Sequence, residues 1–159
     1  MKVKGREDAN WGYRIASAGY HIVEIQDGVE FTLDEQGARK SLLIPVSVNE
    51  GSDDDGVKIA IFAPANHDFG EQKVADILAA VGLFAAFEEK FPGDVSFFDK
   101  GPFEALKAKL PGQFLKVLVE ISKDGKYNNV LETHNVKYEG KAAAGPAKGA
   151  AKSNTAKAW

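Results

Sequence analysis

The chain has 159 residues, 44% of them apolar and ten of them Phe, enough to fill the core of one ordinary domain. It contains no cysteine, which excludes disulfides, thiolate metal sites and a thiol nucleophile. The net charge of −3 is unevenly spread: Lys141, Lys148, Lys152 and Lys157 put +4 on a stretch without acids, so residues 1–140 carry −7 and argue against a broad DNA-binding face, though not against a local basic groove.

No charged and apolar leader is visible at Met1, and no apolar run approaches the roughly 20 residues of a membrane-spanning helix. The expected location is therefore the cytoplasm, without membrane contact. Residues 1–18 mix charge, Gly and aromatics without a period and read as an irregular arm. YHIVEIQ, residues 20–26, alternates as a strand does, and Asp27-Gly28 offers a turn. VEFTLDEQGARK either extends that strand or forms a long excursion that turns at Gln36-Gly37. KSLLIPVSV places Leu42, Ile44, Val46 and Val48 on one face, and its Pro45 suggests an edge position or a bulge.

EGSDDDG reads as a polar, solvated loop; it lacks the spaced ligands, central Gly and distal Glu of a calcium loop. VKIAIFAP is a third strand, with Val57, Ile59 and Ile61 inward and Lys58 and Phe62 outward. From Phe69 the period changes: Val74, Ile77, Leu78, Val81, Phe84 and Phe87 recur at helical spacing, Asp68 is the expected N-cap, and Phe91-Pro92-Gly93 the expected stop. PFEALKAKLPG predicts a short second helix with Pro102 in its first turn. QFLKVLVEIS and NNVLETHNVKY predict two strands joined by the turn SKDGKYNNV, with Leu115, Val117, Val119 and Ile121 as the core face of the first. The lysine-rich stretch 141–159 has almost nothing to bury and is expected to be a flexible basic tail.

The expected fold is mainly β: an OB-like domain over residues 19–140 built as a five-stranded barrel with a helix between strands three and four. Three stretches carry a resemblance that points the same way. GYHIVEIQDGVEFTLDEQGARKSLLIPVSV resembles the opening of a family of small bacteriophage single-stranded-DNA-binding proteins. NHDFGEQKVADILAAVGL is similar to that family's central segment, and GQFLKVLVEISKDGKYNNV to its closing hairpin. The resemblance implies an OB-type barrel, no enzymatic activity, no cofactor, and binding of single strands in phage replication or recombination. The basic stretch ending in Trp159 departs from the acidic tail by which many single-stranded-DNA-binding proteins recruit partners.

A groove for single strands needs cations to follow phosphates and aromatic faces on which bases stack. The closing turn supplies Lys123, Lys126 and Tyr127, with Asn128 and Asn129 as amides for base edges. Outward parity adds Lys58 and Phe62 on the third strand and Phe114 and Lys116 on the fourth, as a basic and aromatic floor. Phe62 and Phe114 equally suit packing beneath a helix or the arm. Arg39 and Lys40 follow Gly37 in a connection that closes over ligand in OB domains. Trp11, Tyr13 and Arg14 stand out in the arm, whose two aromatics either anchor it or stack on bases. His21, His67 and His134 have no metal-binding spacing, and no phosphate-cradling loop, nucleophile elbow or HExxH is present. The expected function is non-sequence-specific single-stranded DNA binding without catalysis. Its rival is an accessory protein-interaction module of a phage replication or recombination complex, favoured by the acidic body.

Overall fold

The computed structural model describes residues 14–139. Six antiparallel strands, rather than five, carry the fold: β1 (Gly19–Ile25), β2 (Glu30–Leu33), β3 (Arg39–Val48), β4 (Lys58–Pro64), β5 (Phe114–Ile121) and β6 (Asn128–His134). Three helices, α1 (Asp68–Ala80), α2 (Phe84–Lys90) and α3 (Lys100–Lys109), lie between β4 and β5. None of the described helices is long and apolar enough to cross a membrane.

The sheet is organised around β3. One edge of β3 pairs with β4 from Ser41–Pro64 to Ser47–Lys58. Its other edge is shared, with β2 opposite the first half and β1 opposite Val46, Ser47 and Val48. Beyond β1 come β5 and then β6. The sheet stays open, since among the described residues no ladder joins β4 to β6, and a closed barrel is not formed.

Because β1 and β2 both run antiparallel to β3, Asp27-Gly28 does not reverse the chain. It is a jog between two strands of the same direction, and Gly28 takes the positive φ (107°) that the jog requires. The jog also accounts for Pro45, which is not on an edge. Its carbonyl accepts Gln26 N–H at 2.8 Å, so its missing N–H points at the break between β1 and β2, where no ladder bond is needed. The reversal comes later, where Asp34 Oδ1 accepts the Gln36 and Ala38 N–H groups.

Period-two alternation places the core where the sequence predicts. Val23, Ile25, Leu42, Ile44, Val46, Ile59, Ile61, Leu115, Val117 and Val119 are buried on one face of the sheet. Ile121 departs from this expectation: it lies past the last buried position of β5, on the projecting hairpin, and is 43% exposed. Val74, Ile77 and Leu78 of α1 close the core, with Phe98, Leu106 and Leu110 from the α2–α3 region.

The helical stripe that began at Phe69 is interrupted. Gly82 adopts φ +80°, and Leu83 N–H donates back to the Leu78 carbonyl at 2.8 Å, a Schellman-type closure that ends α1 and restarts the chain as α2. Asp68 is the first helical residue rather than the cap, which is His67. α1 packs against β4 and β6, the two strands that flank the opening of the sheet.

The loop 49–56 is ordered by its own carboxylates rather than merely solvated. Asp55 accepts the backbone N–H groups of Glu50, Gly51 and Ser52, and Asp54 accepts both Ser17 N–H and Ser17 Oγ–H. Glu50 accepts Ile22 N–H at 2.8 Å and meets His21 Nδ1 at 2.7 Å, while His21 Nε2 lies 2.7 Å from the Ser17 carbonyl. Both ring nitrogens of this buried histidine therefore face acceptors, which suits the imidazolium. Burial opposes the charged ring, but the Glu50 hydrogen bond, the Ser17 carbonyl and the Asp54 charge outweigh it, and the His21 pKa lies above the usual imidazole value.

A histidine with a raised folded pKa contributes stability that is complete below its unfolded value, about 6.5, and is lost as pH rises through the folded value. Thermal melts of the chain should therefore fall by about 2–4 °C above that window, the loss of about 1 kcal/mol as a charged hydrogen bond becomes neutral. His21→Gln should flatten this step. A step that survives the substitution would assign it to another group.

Candidate nucleic-acid interface

The hairpin that joins β5 to β6 is built before it meets anything. Gly125 takes φ +72°, Ser122 N–H donates to the Tyr127 carbonyl at 2.8 Å, and Asp124 Oδ1 accepts Ser122 Oγ–H and Lys126 N–H. Ser122 Oγ in turn accepts the Lys126 and Tyr127 N–H groups at 3.2 Å. These bonds hold Asp124 ionised below the usual carboxylate range, led by the Ser122 hydroxyl. Residues 126–130 are thereby presented toward β4 on a fixed frame.

Between that frame and β4 runs a groove of about 740 Å³. Arg14, Lys58, Lys73 and Lys126 line it together with Phe62, Tyr127, Asn128 and Asn129, over a floor of Leu43, Pro45 and β4 backbone. No carboxylate is among its lining residues. Tyr127 is 57% and Phe62 48% exposed, a large apolar display for one site. The groove lies at the opening between β4 and β6, where a closed sheet would have left no room.

Segment 14–18 forms one end of the groove. Asn128 clamps it by accepting Ala16 N–H and donating to the Ala16 carbonyl, both at 2.9 Å, and Arg14 Nη2 donates to the Asp55 carbonyl at 2.7 Å. The Asn128 amide is thus engaged by the protein rather than offered to a base edge, and Asn129 Nδ2 donates to Glu120 at 3.3 Å. Lys73 approaches from α1, its ammonium 5.6 Å from the centre of the Phe69 ring; burial pushes its pKa below the ordinary lysine value.

Of the residues the sequence points to, Lys58, Phe62, Lys126, Tyr127, Asn128 and Asn129 meet here. Lys123 is exposed on the same turn but does not line the groove. Phe114 and Lys116 share the outward parity of Lys58 yet stand elsewhere. Lys58 pairs with Ser47, Ser47 with Glu24 and Glu24 with Phe114, so Phe114 is three strand spacings away, about 14 Å, with an acid between. Lys116 Nζ donates to the Tyr138 carbonyl at 2.6 Å. Arg39 Nη1 donates to the Phe98 carbonyl at 2.8 Å and its guanidinium covers the Phe31 ring at 4.2 Å, a structural tie between β3 and the segment before α3. Lys40, at the start of β3, is exposed away from the groove lining. Trp11 and Tyr13 lie outside the described residues, as does the stretch 140–159.

Arg14, noted in the arm beside Trp11 and Tyr13, joins the site as a cation, and Lys73 joins it with no signal in the sequence. Lys73 sits on the polar side of an amphipathic helix, and only the packing of α1 across the sheet opening brings it here. Among the described residues no group of three or more His, Asp or Glu side chains is placed to hold a metal ion. No protein-family model and no curated protein matches the chain.

Proposed function

We propose that this chain binds single-stranded DNA without sequence preference, in the groove between β4 and the β5–β6 hairpin, and that it does so without catalysis. The observation that carries the reading is the local charge: four cations and no carboxylate line the groove of a body whose residues 1–140 sum to −7. Cations so gathered neutralise phosphates, and Tyr127 and Phe62 beside them offer faces on which bases stack.

The connectivity supports an OB-type reading. If β1 and β2 are counted as one strand interrupted at residues 26–29, five strands remain, with α1 between the third and fourth and with the first strand bonded to both the second and fourth. On this reading the chain is an OB-like domain whose seam is opened, and the sequence resemblance to phage single-stranded-DNA-binding proteins favours a role in replication or recombination.

The test is fluorescence anisotropy of a labelled dT oligonucleotide at low and moderate salt, with the same length of duplex as comparison. Binding confined to the single strand and weakened by salt is expected; no binding at low salt would sink the proposal. Tyr127→Ala should weaken binding about 5- to 150-fold, the loss of 1–3 kcal/mol of stacking. Its melting temperature should hardly move, because the ring is mostly in solvent. Unchanged affinity would remove the hairpin from the site.

A further inference from the structure

One wall of the groove offers main-chain polar groups. Along β4 the hydrogen bonds to β3 alternate, and their phase is fixed at both ends: Val48 N–H donates to the Val57 carbonyl at 2.9 Å, and Ala65 N–H donates to the Lys40 carbonyl at 3.0 Å. The register is unbroken between them, from Ser41–Pro64 to Ser47–Lys58. The odd-numbered residues of β4 therefore bond to β3. The N–H and C=O groups of Lys58, Ala60 and Phe62 point the other way, into the opening toward β6. Among the described residues none of these groups has a hydrogen-bond partner. Gly70 of α1 lies against the Pro64 carbonyl, past the groove-lining residues 58–62. An unpaired strand edge is a template for hydrogen bonding, which proteins either cover or use. Here no proline and no bulge interrupts residues 58–62, and the Ala60 side chain is too short to shield its own backbone.

The edge has a fixed spacing. Residues two apart on an antiparallel strand are separated by about 6.8 Å, whereas a stacked nucleic-acid strand rises about 3.4 Å per nucleotide. One nucleotide per edge residue therefore requires a strand drawn out to about twice its stacked rise, with its bases unstacked. Tyr127 and Phe62 stand in the same groove as replacement stacking faces. Each edge residue also offers a donor and an acceptor together. A phosphate only accepts, but the Watson–Crick edge of every base carries at least one donor and one acceptor, and unpaired bases are free to present it.

We infer that the free edge of β4 pairs with the Watson–Crick edges of an extended single strand through the main-chain N–H and C=O groups of Lys58, Ala60 and Phe62, one nucleotide to each. This rests on the groove binding single strands, and it gives a physical reason for two properties of that binding. The same pair of main-chain groups recurs at all three positions, so every base is accepted. In a duplex the Watson–Crick edges are already paired, so the duplex is refused.

The first test is amide exchange, followed by NMR on the full isotope-labelled chain, with and without a dT oligonucleotide held at about ten times its Kd. The Lys58, Ala60 and Phe62 amides should exchange freely in the chain alone and about tenfold more slowly with the oligonucleotide, while Ile59 and Ile61, bonded to β3, change little. The second is Ala60→Pro, which deletes one edge N–H and keeps every charge and aromatic ring; a strand tolerates proline where its nitrogen faces away from the ladder. Affinity for dT should fall about 3- to 10-fold, the loss of one hydrogen bond, with the parental salt slope because no phosphate contact is removed. If the variant melts far below the parent, the exchange measurement decides. Binding of dT with all three amides unprotected, or parental affinity in a folded Ala60→Pro, would overturn the inference and leave the groove as a single-strand site. Protection already complete in the chain alone would overturn it as well, because the edge would then be occupied. Protection by a poly-glutamate peptide but not by dT would give the edge to strand addition by a protein instead. Failure of dT to bind at low salt, seen by anisotropy, would take down the single-strand reading and this inference together.

Discussion

Gly70→Ala is expected to destabilise the chain by about 2 kcal/mol or more, although alanine is the better helix former. Gly70 is the third residue of α1, and a Cβ built there would lie 1.9 Å from the Pro64 carbonyl oxygen and 2.9 Å from its carbon. Neither atom belongs to a side chain that can swing aside. Pro64 closes β4, and Asn66, in the left-handed region at φ 63°, turns the chain so tightly that the helix begins against the strand it has just left. To accept the methyl group, α1 must lift from β4, and Val74, Ile77 and Leu78, all fully buried, lift with it.

The propensity gain of about 1 kcal/mol cannot offset a backbone contact of that kind. A fall in melting temperature of roughly 4–8 °C is expected. Gly82→Ala is the comparison, since it meets nothing within 4 Å and incurs only the strain of φ +80°, about 1–2 kcal/mol. An unchanged or higher melting temperature for Gly70→Ala would show that α1 does not sit on Pro64.

Gly70 marks the boundary between what the sequence shows and what it cannot. Its position at the head of a helical stripe is plain, but the reason for a glycine there is a carbonyl six residues away that becomes a neighbour only through the Asn66 turn. The alternation of Leu42, Ile44, Val46 and Val48, of Val57, Ile59 and Ile61, and of Leu115, Val117 and Val119 was legible because one sheet face is buried and the pleat has period two. The break at Gly82 was hidden because Phe84 and Phe87 continue the apolar stripe across it. Helical period reports the buried side, and the stripe persists when the helix does not.

The candidate site divides along the same line. Outward parity placed Lys58 and Phe62 on the exposed face of β4, and the Asp124-Gly125 turn placed Lys126 and Tyr127 on the hairpin that faces them across the groove. Parity tells which face a residue takes, however, and not its lateral position. Phe114 and Lys116 passed the parity criterion and lie across the width of the sheet from β4. Lys73 and Arg14 belong to elements that reach the groove by long-range contacts, through α1 packing and through the Asn128 clamp on Ala16, and no local pattern reports such contacts.

The largest effect on binding should come from Lys58→Glu combined with Lys126→Glu. The two lysines line the same groove from β4 and from the β5–β6 hairpin, and the pair of substitutions changes four unit charges there. At a contact distance of 4 Å in water each unit charge is worth about 1 kcal/mol, so the double variant should lose about 4 kcal/mol, roughly a thousandfold, at low salt.

Salt supplies an independent reading. Four phosphate contacts predict a slope near −2.8 in log affinity against log salt, and therefore a loss of about 50-fold between about 50 and 200 mM. Removal of two contacts should halve the slope. Lys100→Glu with Lys137→Glu alters net charge by the same amount at exposed positions outside the groove lining. If the long-range field of the body governed association, both double variants would weaken binding alike. If the groove does, the Lys100 and Lys137 pair keeps the parental slope and loses only the small, screened contribution of distant charge, and Lys123→Glu, on the hairpin but outside the groove, falls between the two. Equal losses for the two pairs would dissolve the groove as a site and leave a protein whose attraction to nucleic acid is nonspecific charge alone.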